Sequence, residues 1–470
     1  MRRVFLALSS GWLVGIITGV LGLSLLAAII LAVGWTVLCW LYNSQTHVAA
    51  AVLMLLLLGF VWGTVARVPT VGCVIGKEET VDITSRETRQ NGTQYVVRSH
   101  GGCEILVYTS YRTNYYPGER IHLSRGSWQS YSEVAEKSPG FAEYLVGKNI
   151  GGVWSYPEVE LSGGRKRILP YWRTVVAGQI SKTLLEPEAG LAAAMITGEK
   201  GEVMTDLKKT LQAGGVSHVL AISGLHISLI AGAIYIVVSL LPFGPGSVGL
   251  VTGMFLWFYI VLVGAPISAV RAGLFWSLAL LLLAMRRLVG LPTAIWVAAL
   301  VTVSADPGVI KEVSWQLSFA AVAGIWLALF LTKKWRESRS SAIISLLLVS
   351  GGAFAATWPI VAVRLGMISP ISIAVNLLVV PVVPAIMFFS AVTAVVSLLM
   401  PAAALWLAWV VHVLVAWSAT VTDLLLKLPG SFWQEVSVPP VIWLTYYFLM
   451  FVLVSLVLKR QGRNWREIWE

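Results

Sequence analysis

The chain has 470 residues, of which 57% are hydrophobic and 12% charged, and its mean hydropathy is +0.79. Soluble domains carry about 25% charged residues, so these values exclude a water-soluble globular protein and predict a polytopic α-helical membrane protein. The net charge of +11 fits Lys and Arg collecting in cytoplasmic loops and does not by itself indicate an anionic ligand.

Residues 1–67 are predicted to form N-terminal transmembrane helices. Their apolar segments lie near 4–20, 21–41 and 47–66. The first apolar run continues without a small-residue cleavage site and a polar start, so no cleavable signal peptide is expected. Arg2 and Arg3 place the N-terminus inside the cell. Three spans then place the next segment outside the cytoplasmic membrane.

Residues 68–165 are polar and are predicted to form a small extracytoplasmic β-domain. Val81 and Ile83 alternate with polar neighbours. Further strand candidates lie at 95–97, 105–108 and 121–123, separated by the turn signals at 91–92, 101–102 and 117–118. Five or so short strands with tight turns indicate a small barrel or sandwich.

Two cysteines flank the predicted strands, and the alternatives are a disulfide or two thiols. Outside the cytoplasm Cys73 and Cys103 are expected to pair. In the chain-entropy model such a bond would stabilise the domain by about 3–4 kcal/mol. Cys39 lies in an apolar segment and is read as a packing residue.

Residues 166–215 are predicted to form interfacial amphipathic helices, and residues 216–470 a second transmembrane block. The candidate spans of this block lie near 216–241, 247–264, 268–285, 291–305, 313–332, 341–361, 383–400, 402–427 and 439–458. Basic clusters at 286–287, 333–336 and 459–460 all fall inside when these spans start from outside. With the N-terminal segments this gives about 11–12 transmembrane helices. Four prolines within 359–384 predict broken or re-entrant helices there.

Two histidines enter an apolar span together with small polar residues. His218 and His226 are eight residues apart, close to two helical turns, and are therefore predicted to share a helix face. Ser223 and Gly224 keep that face small. Because ionisable side chains in a bilayer usually face a cavity or one another, these residues and Arg271 are predicted to line a polar cavity.

Five segments in chain order resemble motifs of the ComEC family of competence proteins. They are MITGEK at 195–200, VSHVLAISGLHIS at 216–228, PISAVRA at 266–272, DP with WQLSF at 306–319, and SP, NLL and P at 369–381. The β-segment, which contains PGERIHL at 117–123, is similar to the OB-like domain of that family. The ordered motifs and the β-segment together cover nearly the whole chain.

The resemblance implies a multi-pass channel in a bacterial cytoplasmic membrane that conducts single-stranded DNA during natural transformation. The partners it implies are single-stranded DNA, membrane lipid, a DNA receptor outside and an ATP-driven helicase inside. Many members carry a C-terminal metallo-β-lactamase-like domain, which this chain is expected to lack because its six His form no metal motif. A separate nuclease is therefore a further expected partner. No enzymatic activity, catalytic residue, metal or cofactor is expected, and the oligomeric state stays open.

Polar and basic residues in or beside these motifs are candidates for the DNA path. They are His218, Ser223, His226, Arg271, Gln316, Asn376, Lys208, Lys209 and Arg364. Each also has a structural interpretation. Arg271 would extend to lipid headgroups, and Lys208 and Lys209 would lie on the solvated face of an interfacial helix. Gln316 would bond a neighbouring helix, and Asn376 would cap a broken one.

Two other classes of function stay open. Ser223 and His226, three residues apart, share a helix turn and fit an intramembrane serine hydrolase, although no orienting acid is evident. A secondary transporter with broken helices would show internal repeats, and the sequence shows no convincing repeat. Labelling with an active-site serine probe distinguishes the hydrolase from a channel.

Overall fold

The structure is a computed structural model, and the statements below refer to the residues that it describes. These are 9–10, 12–17, 59, 76, 78–89, 92–110, 115–138, 141–142, 145, 150–199, 203–220, 222–284, 291–332 and 342–461. The chain divides into two compact units. One comprises 1–74, 129–153 and 296–316, and the other 75–128, 154–295 and 317–470.

The β-segment contains seven described strands. They are β1 Glu78–Arg89, β2 Gly92–Ser99, β3 Glu104–Thr109, β4 Glu119–Ser124, β5 Ser127–Ser130, β6 Ile150–Ser155 and β7 Glu158–Gly164. Within the second unit the antiparallel order is β3-β2-β1-β4-β7. Strands β5 and β6 each have residues in both units. The predicted strand residues all lie in these strands, and Gly102 and Gly118 stand at positive φ in the turns before β3 and β4.

One face of the sheet forms an apolar core because alternate side chains of each strand point to the same side. Val81 and Ile83 of β1 pack there against Tyr95 and Val97 of β2, all nearly inaccessible to solvent. Trp154 joins this core, and its indole N–H donates to the backbone carbonyl of Arg125 over 2.7 Å. The predicted β-domain is therefore present as a sheet with its own core, and the OB-like topology stays a prediction.

The remainder of the described chain is helical. The helices are α1 Tyr131–Lys137, α2 Ile168–Thr183, α3 Glu188–Thr197, α4 Thr205–Ala213, α5 Gly224–Ser239, α6 Pro245–Leu262, α7 Ile267–Ala284, α8 Leu291–Ala305, α9 Val313–Leu331, α10 Ala342–Leu365, α11 Ser372–Val379, α12 Val383–Leu399, α13 Pro401–Leu426 and α14 Pro440–Arg460. Short 3₁₀ turns occupy Ser217–Leu220, Pro307–Lys311 and Val380–Val382.

The second block is a multi-pass helical membrane assembly. Each of its nine predicted spans overlaps a described helix, from α5 to α10 and from α12 to α14, although α5 begins eight residues after the predicted start at 216. By length and composition, five helical segments of the described chain can cross a membrane: Val313–Leu331, Ile343–Leu365, Ser372–Leu399, Pro401–Leu426 and Val441–Arg460. Of the three N-terminal spans the structure describes only residues 9–10, 12–17 and 59, which are helical, and the basic clusters at 286–287 and 333–336 lie outside the described residues.

Helix α3 differs from the predicted interfacial amphipathic character of residues 166–215. Nine of its ten residues are buried, including Glu188 and Thr197. Its remaining side chains are mostly small and apolar all round, so the helix packs inside the second unit instead of lying at a surface. Helix α4 is amphipathic as predicted, with Leu207 and Leu211 buried beneath an exposed polar face, and its interfacial position stays a prediction.

The prolines of 359–384 break the helices less than predicted. Pro359 lies inside α10, which continues to Leu365. The break follows at Gly366, whose φ of 65° lies in the left-handed region that glycine adopts without strain. Pro381 lies in the 3₁₀ turn between α11 and α12.

Candidate functional site

Three of the five motif segments meet in the second unit. Ser268, at the start of α7, donates its hydroxyl to the carbonyl of Ile222, just before α5, over 2.6 Å. A Cβ placed on Gly198 would lie 3.1 Å from Cδ1 of Ile222. A Cβ on Gly224 would lie 4.0 Å from that of Ala272. We call residues 197–199, 222–226 and 264–272 together the motif junction.

Helix α5 begins at the motif junction with a reciprocal cap. Ser223 is the N-cap residue, and its backbone N–H donates to Nδ1 of His226 over 2.9 Å. The Ser223 hydroxyl lies 3.1 Å from the same nitrogen. Because Nδ1 accepts a hydrogen bond, a neutral His226 carries its proton on Nε2. The serine and the histidine thus form a capping box at the entry of an apolar helix.

An ion pair closes one side of the motif junction. Nε of Arg173 in α2 lies 3.1 Å from Oε1 of Glu199, which follows α3. A Cβ on Gly198 would be 3.8 Å from Nη2 of Arg173, and one on Gly264 would be 2.7 Å from Nη1. Both glycines have positive φ, 79° and 87°, so the backbone comes close to the guanidinium where other residues would be strained or too large.

Two ionisable side chains of the motif junction are buried among apolar helices. Arg271 of α7 is 1% exposed and His226 of α5 is 0% exposed. Their helices share a core with α6 that includes Ile227, Ile260 and Ala272. A buried cation is costly in apolar surroundings, so the position of Arg271 requires polar groups or water near it. The alternative that Arg271 extends to lipid headgroups does not fit this burial.

The fifth motif packs against the segment that leads into the second. The Ser369 hydroxyl donates to the carbonyl of Ala213 over 2.6 Å. Gly215, at φ 74°, lies so close to Ser372 that a Cβ would overlap its side chain. Asn376 lies within α11, whose N-cap is Ile371, so the predicted capping role is wrong.

The histidine pair does not share a helix face. His218 lies in the 3₁₀ turn Ser217–Leu220, and α5 begins only at Gly224, so the chain leaves helical geometry between the two residues. His218 is exposed whereas His226 is buried. The prediction of one shared face is therefore wrong, because the 3₁₀ turn ends at Leu220 and the extended backbone of Ser223 separates it from the helix that holds His226.

The remaining candidates lie apart from the junction segments. Lys208 and Lys209 are exposed on α4, as expected for a solvated face, and Arg364 is exposed in the last turn of α10. Gln316 donates to the carbonyl of Ile310 over 2.9 Å, so it closes a local turn instead of bonding a neighbouring helix.

The cysteine prediction stays open. Cys103 is disulfide-bonded, but Cys73 lies outside the described residues, as does Cys39. Among the residues that the structure describes, no group of three or more His, Cys, Asp or Glu is placed to hold a metal ion.

Sequence reasoning missed two pairs of ionisable residues. Arg173 lies in a segment read only as interfacial, and Glu199 was noted as part of a motif without a role. Glu188, which is buried, has Oε1 2.7 Å from Nδ1 of His412. The one signal in the sequence was an ionisable residue inside an otherwise apolar segment. Such a side chain often forms an ion pair or hydrogen bond with another polar side chain.

The family comparison matches the segments that build this site. The family model described as Competence protein matches residues 195–460, more than half of the chain. The chain belongs to the competence protein family. The matched residues of this competence-family chain include all three segments of the motif junction and the fifth motif. Arg173 lies before them.

A curated relative supports the same membership. The chain is 24% identical over 321 residues to ComE operon protein 3 of Bacillus subtilis (strain 168). The match covers 67% of the competence-family chain but 40% of that relative. No solved structure matches the chain significantly.

Proposed function

We propose that the competence-family chain conducts single-stranded DNA across the cytoplasmic membrane of a bacterium, with its β-sheet on the outer side. The single observation that carries the proposal is the burial of Arg271, 1% exposed, in a helix of the membrane block. A strand of DNA carries one negative charge per nucleotide, so its passage through an apolar slab needs water and compensating cations. In this proposal Arg271 supplies one such cation.

The arrangement of the motifs supports this proposal. Residues 197–199, 222–226 and 264–272 come together although they are far apart in the sequence. Small or polar residues dominate the points where they meet, including Gly198, Ser223 and Ser268. Polar groups inside a bilayer are costly and usually serve transport paths or proton relays. A hydrated path through the membrane would therefore start at a polar junction of this kind between apolar helices.

The two ionisable side chains that α5 and α7 contribute to the motif junction are closed to solvent in this structure. Because His226 and Arg271 are both buried, conduction requires α5 and α7 to separate or to admit water. The α6–α7 connection is a suitable hinge, since Gly264 and Ala265 both have positive φ there, 87° and 48°. DNA entry in this scheme follows an opening of the junction.

The alternative that Ser223 and His226 belong to a serine hydrolase loses its main support. The distance of 3.1 Å between the Ser223 hydroxyl and Nδ1 of His226 looks like a nucleophile and its base. That nitrogen, however, already accepts the backbone N–H of Ser223. Helix capping therefore explains the contact between Ser223 and His226 without a catalytic role for either residue.

Gene replacement in the naturally transformable host tests the proposal. Arg271→Ala is expected to reduce transformation by about tenfold or more, equivalent to ~1.4 kcal/mol, while Arg271→Lys keeps the charge and retains a larger share. Lys427→Ala is the matched control, because Lys427 is an exposed cation paired with Asp423. Membrane levels of all variants are measured beside transformation. Normal DNA entry in correctly inserted Arg271→Ala protein would contradict the proposal.

A further inference from the structure

Helix α2, Ile168–Thr183, is neither a spanning helix nor a buried one. It is absent both from the five segments that can cross a membrane and from the shorter apolar helices of the described chain. Its 16 residues reach about 24 Å at 1.5 Å per residue. Along its second half Ala177 and Ile180 pack into the core of the second unit. Gln179 fixes the same half through a hydrogen bond of 3.0 Å to Ser397 in α12.

The first half of α2 exposes large apolar side chains. They are Ile168 at 72%, Tyr171 at 38%, Trp172 at 54%, Val175 at 39% and Val176 at 37% exposure. The spacing of Ile168, Trp172 and Val176 is four residues, so these side chains form a strip along one side of the helix. An apolar strip of this kind in water normally marks an interaction surface.

Positive charge accompanies the strip. Residues 165–182 contain five Lys or Arg and no Asp or Glu. Arg165, Lys166 and Arg167 are exposed directly before the helix begins. Arg173 is engaged with Glu199, so the exposed cations are concentrated at the N-terminal end of the strip.

The sheet holds this end of the helix in place. The backbone N–H of Arg167 donates to the carbonyl of Pro117 over 2.8 Å, and that of Arg165 donates to Gly118 over 3.0 Å. Nζ of Lys166 lies 4.5 Å from the ring centre of Tyr116, which meets Tyr171 edge to face at 5.5 Å. The basic residues and the apolar strip therefore form one fixed surface.

We propose that residues 165–176 form an interfacial anchor that binds the headgroups of anionic lipids. Arg165 and Arg167 meet the lipid phosphates, whereas Nζ of Lys166 lies 3.9 Å from Oε1 of Glu119. Tyr171 and Trp172 lie at the headgroup level, as aromatic residues do at membrane interfaces. Ile168, Val175 and Val176 reach the upper acyl chains. Nucleic acid is the competing anion, and Tyr171 and Trp172 offer rings on which bases stack. The three exposed aliphatic side chains favour lipid, because acyl chains fit them and bases do not.

The anchor has a structural consequence for the chain. The contacts of Arg165 and Arg167 with the loop before β4 would hold the sheet against the membrane surface. The Arg173–Glu199 pair connects the same helix to the motif junction. Lipid bound at α2 would therefore set the distance between the sheet and the place where the membrane segments meet.

Backbone hydrogen exchange of the full chain in lipid nanodiscs tests the anchor. Discs of phosphatidylcholine are compared with discs that also contain phosphatidylglycerol, at equal ionic strength. Phosphatidylglycerol is expected to slow exchange across residues 168–176 by about fivefold or more. The double variant Arg165→Gln with Arg167→Gln is expected to lose this difference, and exchange in β4 and α13 reports whether the fold is retained.

The matched control removes two other exposed cations of the same unit. Arg120→Gln with Arg125→Gln changes the net charge equally, and it is expected to keep the phosphatidylglycerol effect because both residues pair with acids, Asp82 and Glu158. Equal exchange in both lipids for the unmodified chain would overturn the proposal. Slowing by a single-stranded oligonucleotide in phosphatidylcholine discs, without a phosphatidylglycerol effect, would assign the surface to nucleic acid instead.

Discussion

The backbone N–H of Ser223 donates to Nδ1 of His226 over 2.9 Å, and the imidazole thereby closes the first turn of α5. A helix that enters an apolar environment needs partners for its first N–H groups, since no water is available there. His226 supplies one from within the same turn. The pair therefore explains why a histidine is fully buried at the start of a membrane helix.

The cap predicts different results for two substitutions of one residue. His226→Asn keeps an acceptor near the position of Nδ1, whereas His226→Ala leaves a buried N–H without its partner. We expect His226→Ala to be the less stable by about 1 kcal/mol or more, seen as a lower midpoint of thermal unfolding in detergent. Equal loss in both variants would mean that ring packing, and not the hydrogen bond, stabilises the turn. Ser223→Gly is the companion variant, because glycine at an N-cap costs only a few tenths of a kcal/mol.

Arg173 and Glu199 are expected to be energetically coupled. Their side chains are 21% and 11% exposed, so removing one partner leaves the other charge largely buried. Arg173→Ala and Glu199→Ala should each lower the midpoint of thermal unfolding. The double variant should lower it by clearly less than the sum of the two, with a coupling of about 0.5–3 kcal/mol for residues in contact. Additive losses would show that the pair contributes no interaction of its own.

The crossing of α9 and α10 depends on Gly324 and Gly352, but not on Gly351, the neighbour of Gly352 in α10. A Cβ on Gly352 would lie 2.6 Å from the carbonyl oxygen of Gly324 and 2.8 Å from Cβ of Ala328. Gly352→Ala is therefore expected to be destabilising by about 1–3 kcal/mol. Gly351→Ala is the control, since a Cβ there meets nothing within 4 Å and alanine favours helix. Thermal unfolding of both variants in detergent checks the pair, and equal midpoints would contradict this packing.

Cys73 and Cys103 are expected to form a disulfide. Mass-tagged alkylation of the unfolded full chain, with and without prior reduction, counts the free thiols. Of the three cysteines, we expect one tag without reductant, on Cys39, and three after reduction. Three tags without reductant would exclude the bond.

The sequence by itself determined the positions of the long helices from α5 onward and of residues in β1 to β4, but it did not predict β5, β6 or β7. From α5 onward the apolar runs predicted each long helix, because a bilayer requires about 20 consecutive apolar residues for a helix to cross it. The strand residues of β1 were equally predictable from the sequence, since Val81 and Ile83 alternate with polar neighbours between turn signals. Both signals are local, and each is complete within a dozen or two residues.

Only the tertiary structure decided how the motifs meet. Nothing local in the sequence says that Ser268 bonds the carbonyl of Ile222, or that Arg173 pairs with Glu199. The same holds for α3, whose small apolar residues suit an interface or a core equally until its neighbours are known. His218 and His226 were wrongly placed on one face because periodicity assumes a continuous helix, whereas the extended backbone of Ser223 interrupts the helical geometry between them. Contacts between distant segments depend on the packing of the whole unit. A periodic pattern along the chain does not predict which distant segments pack together.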